Sequence, residues 1–143
     1  SPRRPTAAAT SDADDDQRRI DFARTLWRSS LPATNTVVET YLRSRGVSIP
    51  IPATIRFLPH CRHAPSGTRW PAMVAAVCRW PDRTPSGAHR TYLRPDGCGK
   101  ASVDPDKMMI GGCRGGAVRL APAAETLAIG EGIETSLAAM QAW

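Results

Sequence analysis

Pro50, Pro52, Pro59, Pro65 and Pro71 follow one another so closely that no long helix can cross this part of the chain. Each proline removes a backbone N–H and clashes with the preceding helical turn. The fragments between and after them, "TIRFL" and "AMVAAVCRW", carry the β-branched and apolar residues of strands. "PDRTPSG" has the composition of a hairpin loop and leads into "AHRTYLRPDG", a further strand closed by a second turn at Pro95 to Gly99. A polar stretch with Lys100 and Lys107 follows, and "GGCRGGAVRL" passes through a glycine-rich bend into another short strand. An antiparallel sheet is the expected centre of the fold.

Two helices are expected before it. Ile20, Ala23, Leu26 and Trp27 recur at helical spacing, leaving Arg19, Arg24 and Arg28 elsewhere on the surface. "SSLPAT" interrupts that pattern. "TNTVVETYLRSRG" then places Val37 or Val38, Tyr41 and Leu42 on one side, with Gly46 as the stop. Residues 1–19 contain no apolar side chain larger than alanine, so the segment reads as a disordered linker. At the other end, Leu127 to Ile129 read as a short buried strand, and Ile133, Leu137 and Ala138 as the core-facing stripe of a helix. The expected class is α+β: a small two-helix, antiparallel-sheet unit over residues 20–121, joined to the first strand and helix of an α/β unit over 122–143.

A chain of 143 residues has room for one compact domain and a fragment of a second. Its net charge of +6 favours a polyanionic partner. The distribution is more pointed than the total, because Arg43, Arg45, Arg56, Arg62, Arg69 and Arg79 all lie between Glu39 and Asp82 with no acid among them. Either these form a continuous basic surface or they are ordinary solvated arginines spread around the molecule. No stretch is long and apolar enough for a membrane span and no secretory signal opens the chain, so a cytoplasmic protein is expected. Cys61, Cys78, Cys98 and Cys113 form no CxxC pair, and reduced thiols are the simplest reading. "HCRH" at His60 to His63 lacks the partner cluster that a four-ligand zinc site needs. The absence of an initial Met suggests an excerpt of a longer protein.

Glu131, between Gly130 and Gly132, stands where a strand gives way to a helix, the position at which open α/β sheets place their ligand crevices. Its carboxylate is a candidate Mg²⁺ ligand or general acid or base on a phosphodiester, and equally a residue of a capped turn. Glu134, one turn into the helix, suits an interaction with the helix dipole. On the strand "AHRTYL", His89 and Arg90 should face opposite ways, so one of them can meet a nucleic acid while the other is turned from it. Lys100, Lys107, Arg114 and Arg119 are candidate phosphate contacts in the same groove. Gly111, Gly112, Gly115 and Gly116 either offer backbone amides to an anion or simply form turns. Trp27 belongs to the apolar face of its helix and is expected in the core.

"LAIGEGIETSLAA" resembles the opening motif of a Toprim domain, in which a strand ends in a glutamate followed by glycine. The order of "AHRTYLRPDGCGKA", "KMMIGGCRGGAVRL" and "EGIETSLAA" is similar to that in Toprim-containing primases and primase-helicases of phages, plasmids and integrated elements. "ARTLWRSSLPATNTVVETYLRSRGVSIPIPATIRFLP" resembles the region preceding the Toprim core in the same proteins, so the likeness runs from about Ile20 onward. The resemblance implies a role in DNA replication: primer synthesis by Mg²⁺-dependent nucleotidyl transfer on single-stranded DNA, with Glu131 as the Toprim glutamate. Nucleotides and a helicase domain or partner are the further implied associates. The Asp-x-Asp pair that completes a Toprim site does not follow Glu131, and "DADDD" lies far upstream, so this chain by itself is expected to be inactive. A non-catalytic nucleic-acid-binding module is the alternative, and a Toprim nuclease or topoisomerase another. For a topoisomerase, neither Tyr41 nor Tyr92 has an evident nucleophile context.

Overall fold

The computed structural model describes residues 7–79, 84–121 and 132–141. Three helices surround a six-stranded antiparallel sheet, the α+β arrangement expected. In chain order the elements are α1 (Ala7–Ser29), β1 (Leu31–Pro32), α2 (Val37–Ser44), β2 (Ile55–His63), β3 (Thr68–Arg79), β4 (Gly87–Tyr92), β5 (Lys107–Gly111), β6 (Gly116–Ala117) and α3 (Ile133–Gln141). Strands β1 to β5 lie side by side in sequence order, and β6 pairs with the far end of β3.

The prolines shape the sheet without preventing it. β2 and β3 run through Pro59 and Pro71, and the register slips between Leu58 and Cys61. Neither proline can donate to the ladder, so a bulge at this place costs little that was available. Pro71 still contributes its carbonyl, which accepts from Leu93 N at 2.8 Å.

Side chains alternate across the pleat, and the register therefore sorts them into two layers. Ala72, Val74, Ala88 and Tyr92 face α1, whose Ala23 is fully buried against them with Leu26 and Trp27 beside it. Met73, Ala75 and Leu93 face the other way, under Val38, Tyr41 and Leu42 of α2 and Ile133 and Leu137 of α3. Helix α2 starts at Thr36, whose hydroxyl accepts from Val38 N at 3.2 Å, and stops where Gly46 takes a positive φ of 84°.

Three differences from the sequence reading have physical causes. Helix α1 begins at Ala7, inside the segment read as a linker. Once Ala23 and its neighbours are fixed on the sheet, extending an existing helix through alanines and residues linked by Asp15–Arg18 and Asp16–Arg19 ion pairs is cheaper than starting one. From Asp12 to Arg19 the helix remains exposed, as its composition requires. "KMMIG", within the stretch read as polar, is β5, because Met108 and Ile110 on alternate positions reach the α1 layer. "LP" within the segment separating the first two helices is the edge strand β1. The proposed strand at Leu127 to Ile129 lies outside the described residues.

Candidate functional site

Strand β4 carries the site because its alternation separates two adjacent polar residues. His89 pairs with Ala75 and Met109, and Thr91 with Met73 and Lys107, so all of these share the face covered by α2 and α3. Arg90, paired with Val74 and Met108, points to the α1 layer, where its guanidinium carbon lies 5.9 Å from the centre of the Tyr92 ring. The opposite facing of His89 and Arg90 is therefore as expected.

On the α2–α3 face a buried carboxylate organises the polar groups. Glu134 Oε1 accepts from Tyr41 Oη at 2.8 Å, and Oε2 from Lys107 Nζ at 3.2 Å. Three elements remote in sequence thus converge on the first turn of α3. Burial pushes the Glu134 carboxyl up, but hydrogen bonds from its own backbone amide and from Tyr41, with the charge of Lys107, outweigh it; the net position is below the ordinary carboxylate value. Burial, the bond to Glu134 and its negative charge all raise the Tyr41 phenol, so it stays a donor. Burial and then Lys107 lower His89, while Glu134 opposes them. The imidazole is a neutral base at physiological pH. His89 Nδ1 and Thr91 Oγ1 are buried without a hydrogen-bond partner beside this ion pair, as is Arg90 Nε on the α1 side. The set offers a partly exposed cation in Lys107 and a carboxylate that holds it in place, with a neutral imidazole and a hydroxyl packed beneath.

The remaining expected cations disperse. Lys100 bridges to Leu93 and lies 4.0 Å from Asp106. Arg114 and Arg119 are exposed on the segment flanking β6, which pairs with Cys78 and Arg79. That end of β3 is about 15–20 Å along the strand from Met73, the residue in line with Lys107. A single groove holding all six candidate residues is therefore not what the fold builds; His89 and Lys107 are together, Arg90 is on the opposite face, Arg114 is beside Arg79 at the other end, and Arg119 is beside Thr54 at the start of β2. The glycines form turns, since Gly111 and Gly115 have φ of 88° and 73° and the amides of Gly112 and Gly116 donate to Ser86 O and Cys113 O.

Glu131, proposed as catalytic residue and metal ligand, lies outside the described residues. Among the described residues there is no group of three or more His, Cys, Asp or Glu placed to hold a metal. Glu134 does not supply a Mg²⁺ site, because both its oxygens are engaged, and nearby Asp106 faces Lys100. In "HCRH", His63 is fully buried: its Nε2 donates to Pro105 O at 2.8 Å, a carbonyl being able only to accept, and its Nδ1 lies 2.7 Å from Ser66 Oγ. Trp27 donates from Nε1 to Thr54 O and lies under Arg56, part of the α1 layer.

Sequence reasoning missed Tyr41, Thr91 and Glu134. A signal existed for Glu134, which stands three residues before Leu137 on the apolar stripe of its helix, where a solvated carboxylate is out of place.

No helix among the described residues is long and apolar enough to cross a membrane. No curated protein and no solved structure matches the chain. Residues 17–120, from the middle of α1 past β6, match the family described as "Domain of unknown function (DUF7146)". The match covers well over half of the sequence, so the chain belongs to the DUF7146 family.

Proposed function

We propose that this chain is the nucleic-acid-binding region that accompanies a Toprim centre in a primase-type protein, acting in DNA replication. Its partners in that role are single-stranded DNA and nucleotides. The single observation that supports the reading best is the gathering of His89, Lys107 and Glu134 at the first turn of α3, the helix that follows the Gly130–Glu131–Gly132 junction directly in sequence. Lys107, the partly exposed member of the cluster, binds an anionic group, while Tyr41 and Glu134 hold the lysine and the start of the helix. Mg²⁺ would supply charge neutralisation at the phosphoryl group, with Glu131 as its ligand in this reading. The net charge of +6 favours the same partner.

The test has two parts. The chain should bind labelled oligothymidylate in a salt-dependent manner without making primers. In the complete gene product, primer synthesis from nucleoside triphosphates on single-stranded DNA should require Mg²⁺, and Glu131→Gln should abolish it while leaving DNA affinity within about twofold. Affinity without synthesis in the complete protein would favour a non-catalytic binding module, and no affinity in either would reject the proposal.

A further inference from the structure

Six arginines between Glu39 and Asp82 have no acid among them in sequence; Arg45 is the exposed C-cap of α2, and the fold sorts the other five by task. Arg43 pairs with Glu39 and donates to Val47 O and Ile49 O. Arg56 donates to Ser30 and lies over Trp27, and Arg79 donates to Arg114 O. Those three hold structure together. Arg62 and Arg69 do not: they are directly cross-strand partners near the tip of the β2–β3 hairpin, both exposed, and no ion pair to either occurs among the described residues. Their Cα atoms are about 5 Å apart, a spacing at which like charges destabilise a strand pair. Arg69 uses one nitrogen on His60 O at 3.3 Å, leaving the rest of its fork open.

The hairpin that bears them is held from the opposite face. His63, fully buried, is bonded to Pro105 O, and Tyr92 Oη donates to Arg62 O at 2.7 Å. The two guanidinium groups therefore stand on a braced backbone, and repulsion between them is not relieved by the tip swinging away. An anion placed between them removes the repulsion and receives two forks of donors.

We propose that Arg62 and Arg69 at the tip of the β2–β3 hairpin bind the phosphodiester backbone of single-stranded DNA. This rests on the nucleic-acid reading above and adds a contact surface away from the Lys107 cluster. The alternation places both arginines on the same sheet face as Lys107, because Arg69 is an even number of residues from Met73, which is in line with Thr91 and Lys107. Arg69 is about 13 Å from Met73 along β3, and Lys107 is two strands across, so a few nucleotides span the interval. A strand held at the hairpin thereby reaches the cluster without needing tight binding there.

The experiment is anisotropy of labelled oligothymidylate with the parent chain, an Arg62→Ser/Arg69→Ser double variant and an Arg62→Lys/Arg69→Lys double variant, from about 50 to 200 mM salt. The serine variant should lose about tenfold in affinity, and its log–log salt slope should become shallower by about 1.4, two single-strand contacts' worth of released counterions. The lysine variant should keep the parent slope, and the serine variant should melt at the parent temperature or higher. Parent-like binding and slope in the serine variant would overturn the hairpin assignment while leaving the nucleic-acid reading intact. Unfolding of the serine variant would overturn it by making the arginines structural. Equal binding of poly-glutamate by the parent, lost in the same variant, would overturn the choice of DNA, and absence of any DNA binding by the parent would remove both proposals together.

Discussion

On one side of β4, Ala88, Arg90 and Tyr92 meet a single long helix; on the other, His89 and Thr91 lie beside two short helices that come from distant parts of the chain. The α1 side closes on Ala23 at short range, with Trp27, Trp70 and Tyr92 around that contact. A Cβ added to Gly111 would come within 2.9 Å of Ala23 Cβ and 2.6 Å of Ser86 O, so the helix rides almost on the strand backbone. Arg24 Nε, donating to Pro85 O at 2.7 Å, ties the same helix to the approach of β4. The α2–α3 side is packed by Tyr41, Leu42, Met73 and Leu93 and also buries an ion pair and two unpaired polar atoms, against one, Arg90 Nε, on the α1 side. One face closes around a helix and the other around an ion pair. The lesson is that a carboxylate supplied by the opposing helix, rather than the size of the apolar groups, decides which side of this sheet keeps an ion pair.

Removing apolar bulk from the functional side should have the largest effect. Leu42→Ala, at a fully buried position of α2, should cost about 2–5 kcal/mol in chemical denaturation. A value under about 1 kcal/mol would mean that α2 is not part of the cooperative core. On the sealed side, Gly111→Ala should cost about 1–3 kcal/mol from the positive φ of 88° alone. The added methyl should also loosen α1, read as faster amide exchange near Ala23.

The ion pair sharpens the comparison further. Glu134→Ala leaves the Tyr41 hydroxyl and Lys107 without their acceptor and should cost about 1–3 kcal/mol, whereas mutations of exposed acids such as Asp15 should cost well under 1 kcal/mol. Because the folded carboxyl lies below its ordinary value, its contribution is complete above about pH 4.3, the unfolded value, and disappears as pH falls through the folded one. His89 gives the smallest effect and an earlier window. Its folded value is depressed, so the unfolded chain takes up the proton first and stability declines from about pH 6.5 downward. His89→Gln should flatten the stability curve between those two windows, and an unchanged curve would show that His89 is already solvated.

The sequence made some of this readable for local reasons. The β-branched and apolar fragments around the prolines marked β2 and β3, and the alternation of "AHRTYL" separated His89 from Arg90. What was illegible depended on pairing. Lys107 looked like part of a polar connection, since only its partner Thr91 and the α1 layer under Met108 and Ile110 make it a strand residue. Glu134 read as a helix-dipole acid; its place on the apolar stripe marked it for burial, but nothing local named Tyr41 or Lys107 as its partners. Arg62 and Arg69 looked like two of six until the hairpin put them opposite one another.

The bond between Tyr41 and Glu134 joins residues 93 positions apart, and Gln141 reaches Ser48 across the same interval. A ribosome delivers Tyr41, His89 and Lys107 well before the carboxylate that restrains them. The charge that balances Lys107 therefore comes with the last described helix, and a chain ending before α3 would present that lysine without its counter-charge.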